Sequence, residues 1–543
     1  MGIFRSVELN GWDVDRLDGV AVRQHHENGN VSVELDVTTK CRAGCEIYAD
    51  FDGKRVLLKN GHGILKVENP KLWWARGYGD QPLYDLDVEL VCGGRVIARC
   101  RKRLGLRTLT VSTEPDADGK GSEFCFVLNG VKIFSMGANL VPMDSLLSRV
   151  TDQRWETIVR QAVDANFNTL RVWGGGYSPD SRFYELCDQY GLLVWQDFMV
   201  ACANIYLTSE MAEEFTQEAI CNLKRLHHHA SLALLCGNNE MESGVINWGS
   251  RDNQLVRDDY TGHLLPELCE TYAPDTYYWP SSPSSGGGFD DPDNPAKGDT
   301  HYWEVWHGGV PFTAYRQKRF RFCSEYGFES FPSMKTIRTF AGEEDLNCFS
   351  RVMENHQKCR GGNGKILRYL ADNYLYPAAF ENLVYASQLL QADAIKYGVE
   401  HFRRQRGYCM GSTYWQFNDC WPVASWSSVD CFGRYKALHY AARKFYAPVA
   451  MGLFLENGAL TVNIANETRA GFRGRVHLAM CRGDLTVLAE TGKDVEVEAL
   501  SSRDVLTYPV DSPDPYDTFL YADLYDEQGR FLMRQTELLG PAK

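Results

Sequence analysis

Apolar and polar residues alternate near both ends of the chain. Val31-Ser-Val-Glu-Leu-Asp-Val37 and Tyr84-Asp-Leu-Asp-Val-Glu-Leu90 put apolar side chains on one face and polar ones on the other, the period of a half-buried strand. Gly93-Gly94 marks a turn before a strand-like Val96-Ile97-Ala98. This pattern predicts a β-sandwich over residues 16–108. Leu460-Thr-Val-Asn-Ile464, Arg475-Val-His-Leu-Ala479 and Leu520-Tyr-Ala-Asp-Leu524, with a turn at Asp526-Glu-Gln-Gly529, predict a second over residues 448–543.

Between them the period changes. Trp155, Ile158, Val159 and Ala162 share one face of a helix over 152–165. The extended Thr169-Leu-Arg-Val-Trp173 follows and is halted by Gly174-Gly-Gly176. A helix near 180–190 ends at Gly191, a strand runs over Leu192–Gln196, and Met211, Phe215, Ala219 and Leu223 mark another helix. Ser231–Cys236, Arg319–Cys323 and Tyr408–Tyr414 read as further strands, the last preceded by a helix near 383–403. Strand–helix alternation over residues 109–447 predicts a (β/α)8 TIM barrel. The expected fold is thus multidomain, β and α/β, with a central barrel flanked by two sandwiches. The Ser/Gly/Pro/Asp stretch at 280–298, with Gly286-Gly-Gly288, interrupts the alternation. It lacks the lysine and helix of a phosphate-cradling loop and is expected to be a mobile loop over the barrel mouth.

In such a barrel the chemistry collects where the strands end. The residues at those positions are Trp173; Gln196 and Asp197; Asn238, Asn239 and Glu240; Glu325; and Trp415, Gln416, Asn418 and Asp419. Neither a Gly-x-Ser-x-Gly elbow nor a His-Glu-x-x-His zinc pattern is present. Carboxylates between indole walls suit glycoside hydrolysis: one carboxyl protonates the leaving oxygen, and the other attacks the anomeric carbon or activates water against it. A single strand-end Glu is as readily a salt-bridge partner, and a single Trp as readily core. Their common register is what favours a site.

Net charge is −14 over 543 residues, which argues against nucleic acid as a partner. No apolar run is long enough for a membrane span. Met1-Gly2-Ile3-Phe4-Arg5-Ser6 fits a myristoylation pattern but reads better as a buried strand end through Ile3, Phe4, Val7 and Leu9. The 17 cysteines are odd in number, and Cys41 and Cys45 have no second pair at zinc-finger spacing. They read as small buried hydrophobes in a reducing, cytoplasmic setting. The adjacent His227, His228 and His229 cannot all face one metal and are expected to cap a helix C-terminus.

Several motifs resemble the family 2 β-mannosidases. These are Gly237-Asn-Asn-Glu240, Phe322-Cys-Ser-Glu-Tyr-Gly-Phe328, Arg171-Val-Trp-Gly-Gly-Gly176, Val194-Trp-Gln-Asp-Phe-Met199, Trp415-Gln-Phe-Asn-Asp-Cys-Trp-Pro422 and Leu72-Trp-Trp-Ala-Arg-Gly-Tyr-Gly79. The resemblance covers nearly the whole chain. It implies immunoglobulin-like sandwiches and a retaining exo-β-mannosidase without cofactor or metal, acting on terminal β-D-mannose of an oligosaccharide. Glu240 would be acid/base and Glu325 nucleophile, with the Glu325 charge keeping Glu240 protonated. Asn239 would bond the 2-hydroxyl, and Trp173, Trp248 and Trp415 would line the sugar pocket. His307 would touch substrate or nucleophile, or serve as a structural loop histidine. Asp197 would hold a sugar hydroxyl, the favoured reading, or anchor Arg171. Glu242 and Glu329, off the motif positions, are expected at the surface or behind the site. The resemblance also implies an N-terminal jelly-roll domain, of which residues 1–15 match only the last strand. That leaves open an inactive or weakly active sugar-binding fragment, or a chain completed by a separate jelly-roll domain. Endo-β-mannosidase and exo-β-glucosaminidase activities remain alternatives.

Overall fold

The computed structural model describes residues 3, 7–12, 15–41, 44–202, 208–249, 256–511 and 514–540. Two seven-stranded sandwiches flank a parallel barrel. In the first, a sheet of Arg16–Glu27, Asn30–Lys40 and His62–Val67 faces one of Lys54–Leu58, Cys45–Phe51, Tyr84–Cys92 and Arg95–Leu104. The second repeats the three-plus-four layout over Val449–Leu538. Each alternating segment read from the sequence falls within a strand, and its apolar face fills the core: Val33, Leu35, Val88 and Leu90 are wholly buried.

The eight barrel strands, in chain order, are Ser135–Leu140, Thr169–Val172, Leu193–Asp197, Leu232–Cys236, Tyr277–Trp279, Thr300–His301, Cys323–Glu325 and Gly411–Tyr414. Neighbours pair in parallel, and the first strand pairs with the eighth. The fifth and sixth meet through side chains instead: Trp279 Nε1 donates to Asp299 Oδ1 at 2.8 Å. A small antiparallel sheet over residues 109–133 precedes the first strand. Its Phe124 and Phe126 rings pack on Trp195, Trp279 and Phe322, filling the lower barrel with aromatic side chains.

Several expectations need correction. Ile3, Val7 and Leu9 are 85%, 79% and 101% exposed and lie in no strand; Met1, Gly2 and Phe4–Ser6 lie outside the described residues. Cys45 is neither a zinc ligand nor a free thiol. It stands directly across the ladder from Cys92, Cα–Cα 4.3 Å, and the two form a disulfide. The other fifteen cysteines are free and eight of them are buried. The 280–298 stretch is not a loop held off the surface: Ser281, Ser282 and Ser284 are fully buried and bonded into the barrel. The three histidines diverge as expected. His227 caps its helix through Lys224 O, His228 meets Lys102, and His229 meets Asp188.

Candidate active site

The upper barrel interior is built around one cation. Arg171 sits mid-strand with no exposed side-chain surface. Its Nη1 donates to Asn139 Oδ1 at 2.9 Å and Glu325 Oε1 at 2.6 Å. Its Nη2 donates to Asp197 Oδ2 at 2.7 Å and Asn239 Oδ1 at 2.6 Å. Burial opposes the charge, but Asp197 and Glu325 more than offset it and raise the Arg171 pKa. Asp197 also accepts from Trp195 Nε1 at 3.0 Å and Gly174 N at 3.0 Å, and its side chain is 0% exposed. Of its two roles read from sequence, the contacts present are those of the second: it anchors Arg171. Burial pushes its pKa up to about 6 against the pull of Arg171.

Glu325 ends the seventh strand and is 4% exposed. Glu240 follows the fourth strand, at the start of the short helix Met241–Ile246, with φ of 62°. That is a left-handed conformation uncommon outside glycine, and it marks a position held by its surroundings. Glu240 N donates to Ser282 O at 2.8 Å, while Asn238 Oδ1 accepts from Met241 N at 3.0 Å and Ser281 Oγ at 2.7 Å. The buried serines of the 280–298 stretch therefore fix the turn that presents Glu240.

The two carboxylates share His301. Its Nδ1 lies 2.8 Å from Glu240 Oε1 and 3.4 Å from Glu325 Oε2, and one atom from each of the three residues lies within 4.8 Å of the others. Such atoms could also converge on one cation, as could those of Glu34, Asp36 and His62 on the first sandwich. Burial lowers the His301 pKa to about 4, so the ring is neutral at pH 7. Its tautomer follows from its other neighbour. Ser282 Oγ donates to Asp299 Oδ2 at 2.7 Å and lies 3.0 Å from His301 Nε2. With the serine proton on the carboxylate, Nε2 must carry the ring proton and Nδ1 offers only a lone pair. A hydrogen bond between that lone pair and Glu240 needs a proton on Glu240.

Burial raises the pKa of both glutamates. For Glu325 it is opposed by His301 and Arg171, with Glu240 adding to the rise. The ion pair at 2.6 Å makes Glu325 the charged member. Glu240 makes no ion pair with Arg or Lys among the described residues; Cys202 Sγ lies 3.1 Å from its Oε2 and also accepts from Asn239 Nδ2 at 3.1 Å.

The aromatic candidates divide. Trp173 and Trp415 meet edge to face, ring centroids 5.0 Å apart, and Trp415 N bonds Tyr326 O beside Glu325. Trp248 is 54% exposed beyond the helix that follows Glu240, with its ring over Gly244. His307 is exposed and packs with Trp303 and Trp426, ring centroids 4.9 and 6.3 Å away. Partial burial and Lys365 lower its pKa while the Glu240 charge opposes them, so it lies within electrostatic reach of Glu240, and His301 holds both carboxylates directly. Glu242 and Glu329 are not at the surface. Glu242 is 5% exposed and accepts from Ser284 Oγ, and Glu329 is fully buried and accepts from Gln357 Nε2. Burial takes their pKa values to about 7 and about 8.

His301, Cys202, Ser282 and Asp299 escaped the sequence reading. The sixth strand is only two residues long and carries no periodicity. The signal available was position: His301 ends a barrel strand, as Glu325 does.

Known proteins are similar to this chain in sequence and fold. Residues 17–107 match the glycosyl hydrolases family 2 domain, and residues 458–543 match the mannosidase Ig/CBM-like domain. Over 473 residues the chain is 35% identical to β-mannosidase B of Aspergillus terreus, covering 82% of this chain and 55% of that one. Over 489 residues it is 37% identical to β-mannosidase B of Aspergillus fumigatus, covering 84% and 57%. The chain thus spans little more than half the length of these curated relatives. The crystal structure of β-D-mannosidase from Dictyoglomus thermophilum superposes with a TM-score of 0.92 at 33% identity, covering 98% of this chain and 67% of that one. The exo-chitosanase CsxA of Amycolatopsis orientalis shares the fold, with a TM-score of 0.79 at 18% identity, covering 96% and 64%. Fold, site geometry and sequence relationship together place this chain in the β-mannosidase family of the family 2 glycosyl hydrolases.

Proposed function

We propose that the chain hydrolyses terminal, non-reducing β-D-mannosides with retention, by double displacement at Glu240 and Glu325. The observation that carries this reading is the pair itself: two carboxylates at the barrel mouth, Glu325 buried and Glu240 partly so, bridged by one histidine, with oxygens within 4.8 Å. Retaining glycosidases hold their carboxyls at ~5–5.5 Å, whereas inverting ones leave a gap of about 6.5–9.5 Å for water. The electrostatics divide the labour. Glu325, held on Arg171, attacks the anomeric carbon while Glu240 gives its proton to the departing oxygen. A glycosyl ester forms on Glu325, the aglycone leaves as an alcohol, and Glu240 is left ionised. Esterification removes the Glu325 charge, so Glu240 can now take a proton from water as the water attacks the anomeric carbon and displaces the Glu325 carboxylate. Free mannose, ionised Glu325 and protonated Glu240 result.

In this reading Asn239, steered by Arg171, meets the sugar's 2-hydroxyl, and Trp173 and Trp415 support the ring. Residues 16–108 and 448–543 form the flanking sandwich domains and 109–447 the barrel domain. The fifteen free thiols suit a cytoplasmic setting, against which the single Cys45–Cys92 disulfide stands. The test is release of p-nitrophenol from p-nitrophenyl β-mannoside. Wild-type chain should turn it over, and Glu325→Gln should lower kcat by about 10³-fold or more.

A second reading is that the chain binds sugar and turns it over efficiently only together with a separate jelly-roll domain. Mannobiose binding by calorimetry without hydrolysis, and activity restored by adding that domain, would favour this reading over the first.

A further inference from the structure

Away from the mouth, a cavity of about 560 Å³ opens where the first sandwich meets the barrel. Its walls come from the paired strands Tyr84–Cys92 and Arg95–Leu104, the helix Ser181–Tyr190 and the end of the helix Ser209–Leu226. Lys102 reaches across the boundary, and its Nζ donates to His228 Nδ1 at 3.1 Å. A ring nitrogen that accepts from an ammonium carries no proton, so the His228 proton sits on Nε2 as a further donor. Arg225 lines the same cavity. Its Nη2 donates to Asn222 Oδ1 at 2.9 Å, and its guanidinium lies over the Tyr184 ring.

The acids at the cavity are mostly matched elsewhere. Asp87 pairs with Arg101 at 2.7 Å, Asp188 with His229 at 2.6 Å and Glu185 with Arg182 at 3.4 Å. Asp85 stands across the ladder from Arg103. Among the described residues neither Lys102 nor Arg225 has a carboxylate within 4.0 Å. Burial lowers the Lys102 pKa, and burial followed by the neighbouring His229 and Lys102 lowers that of His228. A cation drawn out of water without a counter-charge is costly, and a bound anion offsets the cost.

We propose that this cavity binds a phosphorylated sugar, with its phosphate on Lys102, Arg225 and His228. Three donors, two of them cationic, match the acceptor oxygens of a phosphate monoester. The cavity is of the size that holds whole small molecules rather than a lone oxyanion. Its other wall, with Asp85, Asp87 and Glu185, offers acceptors for sugar hydroxyls. The inference does not depend on the chemistry of the barrel mouth.

Calorimetry on the full chain tests it, with glucose 6-phosphate and inorganic phosphate as the two probes. Saturable binding of the sugar phosphate is expected, with phosphate alone weaker. Lys102→Met and Arg225→Gln should each weaken it by roughly tenfold or more, about 1.4 kcal/mol. Glu325→Gln should leave it unchanged, which places the ligand outside the catalytic mouth. Circular dichroism melts of the Lys102→Met and Arg225→Gln chains establish that they are folded. No binding of either probe at millimolar concentration overturns the proposal, as does binding that neither substitution weakens. Equal affinity for phosphate and sugar phosphate overturns the assignment of the acidic wall to a sugar.

Discussion

The sandwiches and the barrel treat charge in opposite ways. The sandwich cores are apolar, with Val, Leu and Ile from both sheets, and the arginines of their ion pairs reach solvent even where the carboxylate is buried, as at Glu89 and Asp523. Arg473 and Glu496, for example, are 69% and 62% exposed. The barrel instead buries Arg171, Asp197, Glu325 and Asp299 in its interior. Burying apolar surface stabilises at about 25 cal/mol per Å², whereas burying an ion costs free energy that only good partners recover. The sandwich cores are therefore arranged for stability. The barrel interior accepts a cost because it must hold one carboxylate charged and another protonated at close range. Local rules of stable folding fail where function is concentrated.

That contrast can be broken in graded steps. The largest effect is expected from Arg171→Met. Glu325 loses the cation that keeps it ionised, and Asp197 is left buried without its partner. Removing one member of a buried pair costs ~3–5 kcal/mol, read as a lower urea midpoint, and kcat/KM should fall by about 10²–10³-fold. Activity close to wild type would mean that Glu325 does not need this cation. Next comes Leu90→Ala, in a central strand of the first sandwich and 0% exposed. It should cost ~2–5 kcal/mol in denaturant unfolding, with kcat/KM per folded molecule unchanged. A large loss of kcat at low denaturant would show that the sandwich and barrel are not separable in this way.

The smallest and most specific effect is expected from His301→Phe. A neutral Nδ1 that accepts from the Glu240 carboxyl favours its protonated form. Without it the Glu240 pKa falls, and the alkaline limb of the kcat/KM–pH profile, which follows loss of that proton, moves to lower pH. The acid limb follows protonation of Glu325, which its 2.6 Å ion pair with Arg171 holds ionised. A neutral ring adds no charge there, so removing His301 should leave the acid limb in place and narrow the active range from the alkaline side. A profile of unchanged width would contradict the tautomer assigned to His301.

The same contrast explains what could be read from the sequence. Tyr84–Leu90 alternates because one sheet face is wet and the other dry, so its strand was legible. Leu193–Asp197 and Leu232–Cys236 were legible as short apolar runs, being buried on both faces. Ser135–Leu140 was not, because Ser135, Gly137 and Asn139 interrupt its apolar residues. Those positions are small or polar for structural reasons: a Cβ at Gly137 would lie 1.8 Å from Thr169 O, and Asn139 binds Arg171. Thr300–His301 is too short to carry a period, so the histidine that joins the two carboxylates is not legible in the sequence. Glu240 follows a recognisable apolar strand, Leu232–Cys236, whereas Glu325 lies at the end of Cys323–Glu325, which overlaps the strand expected over Arg319–Cys323 only at Cys323. Asp197 was placed at the right strand end but given to the sugar first, because sequence cannot tell a strand-end carboxylate facing the mouth from one folded onto a neighbouring arginine.

The central claim is that Glu325 forms a covalent bond to the sugar while Glu240 manages the proton. The most direct measurement is to incubate the chain with 2-deoxy-2-fluoro-β-D-mannosyl fluoride, digest it and locate the added mass. The fluorine slows both chemical steps, and the fluoride leaving group needs no proton from Glu240, so the ester should accumulate. One sugar per chain on the peptide containing Glu325, and none in Glu325→Gln, is the predicted result. A label on another carboxylate, or inverted product from an enzyme that turns over without any label, would contradict it.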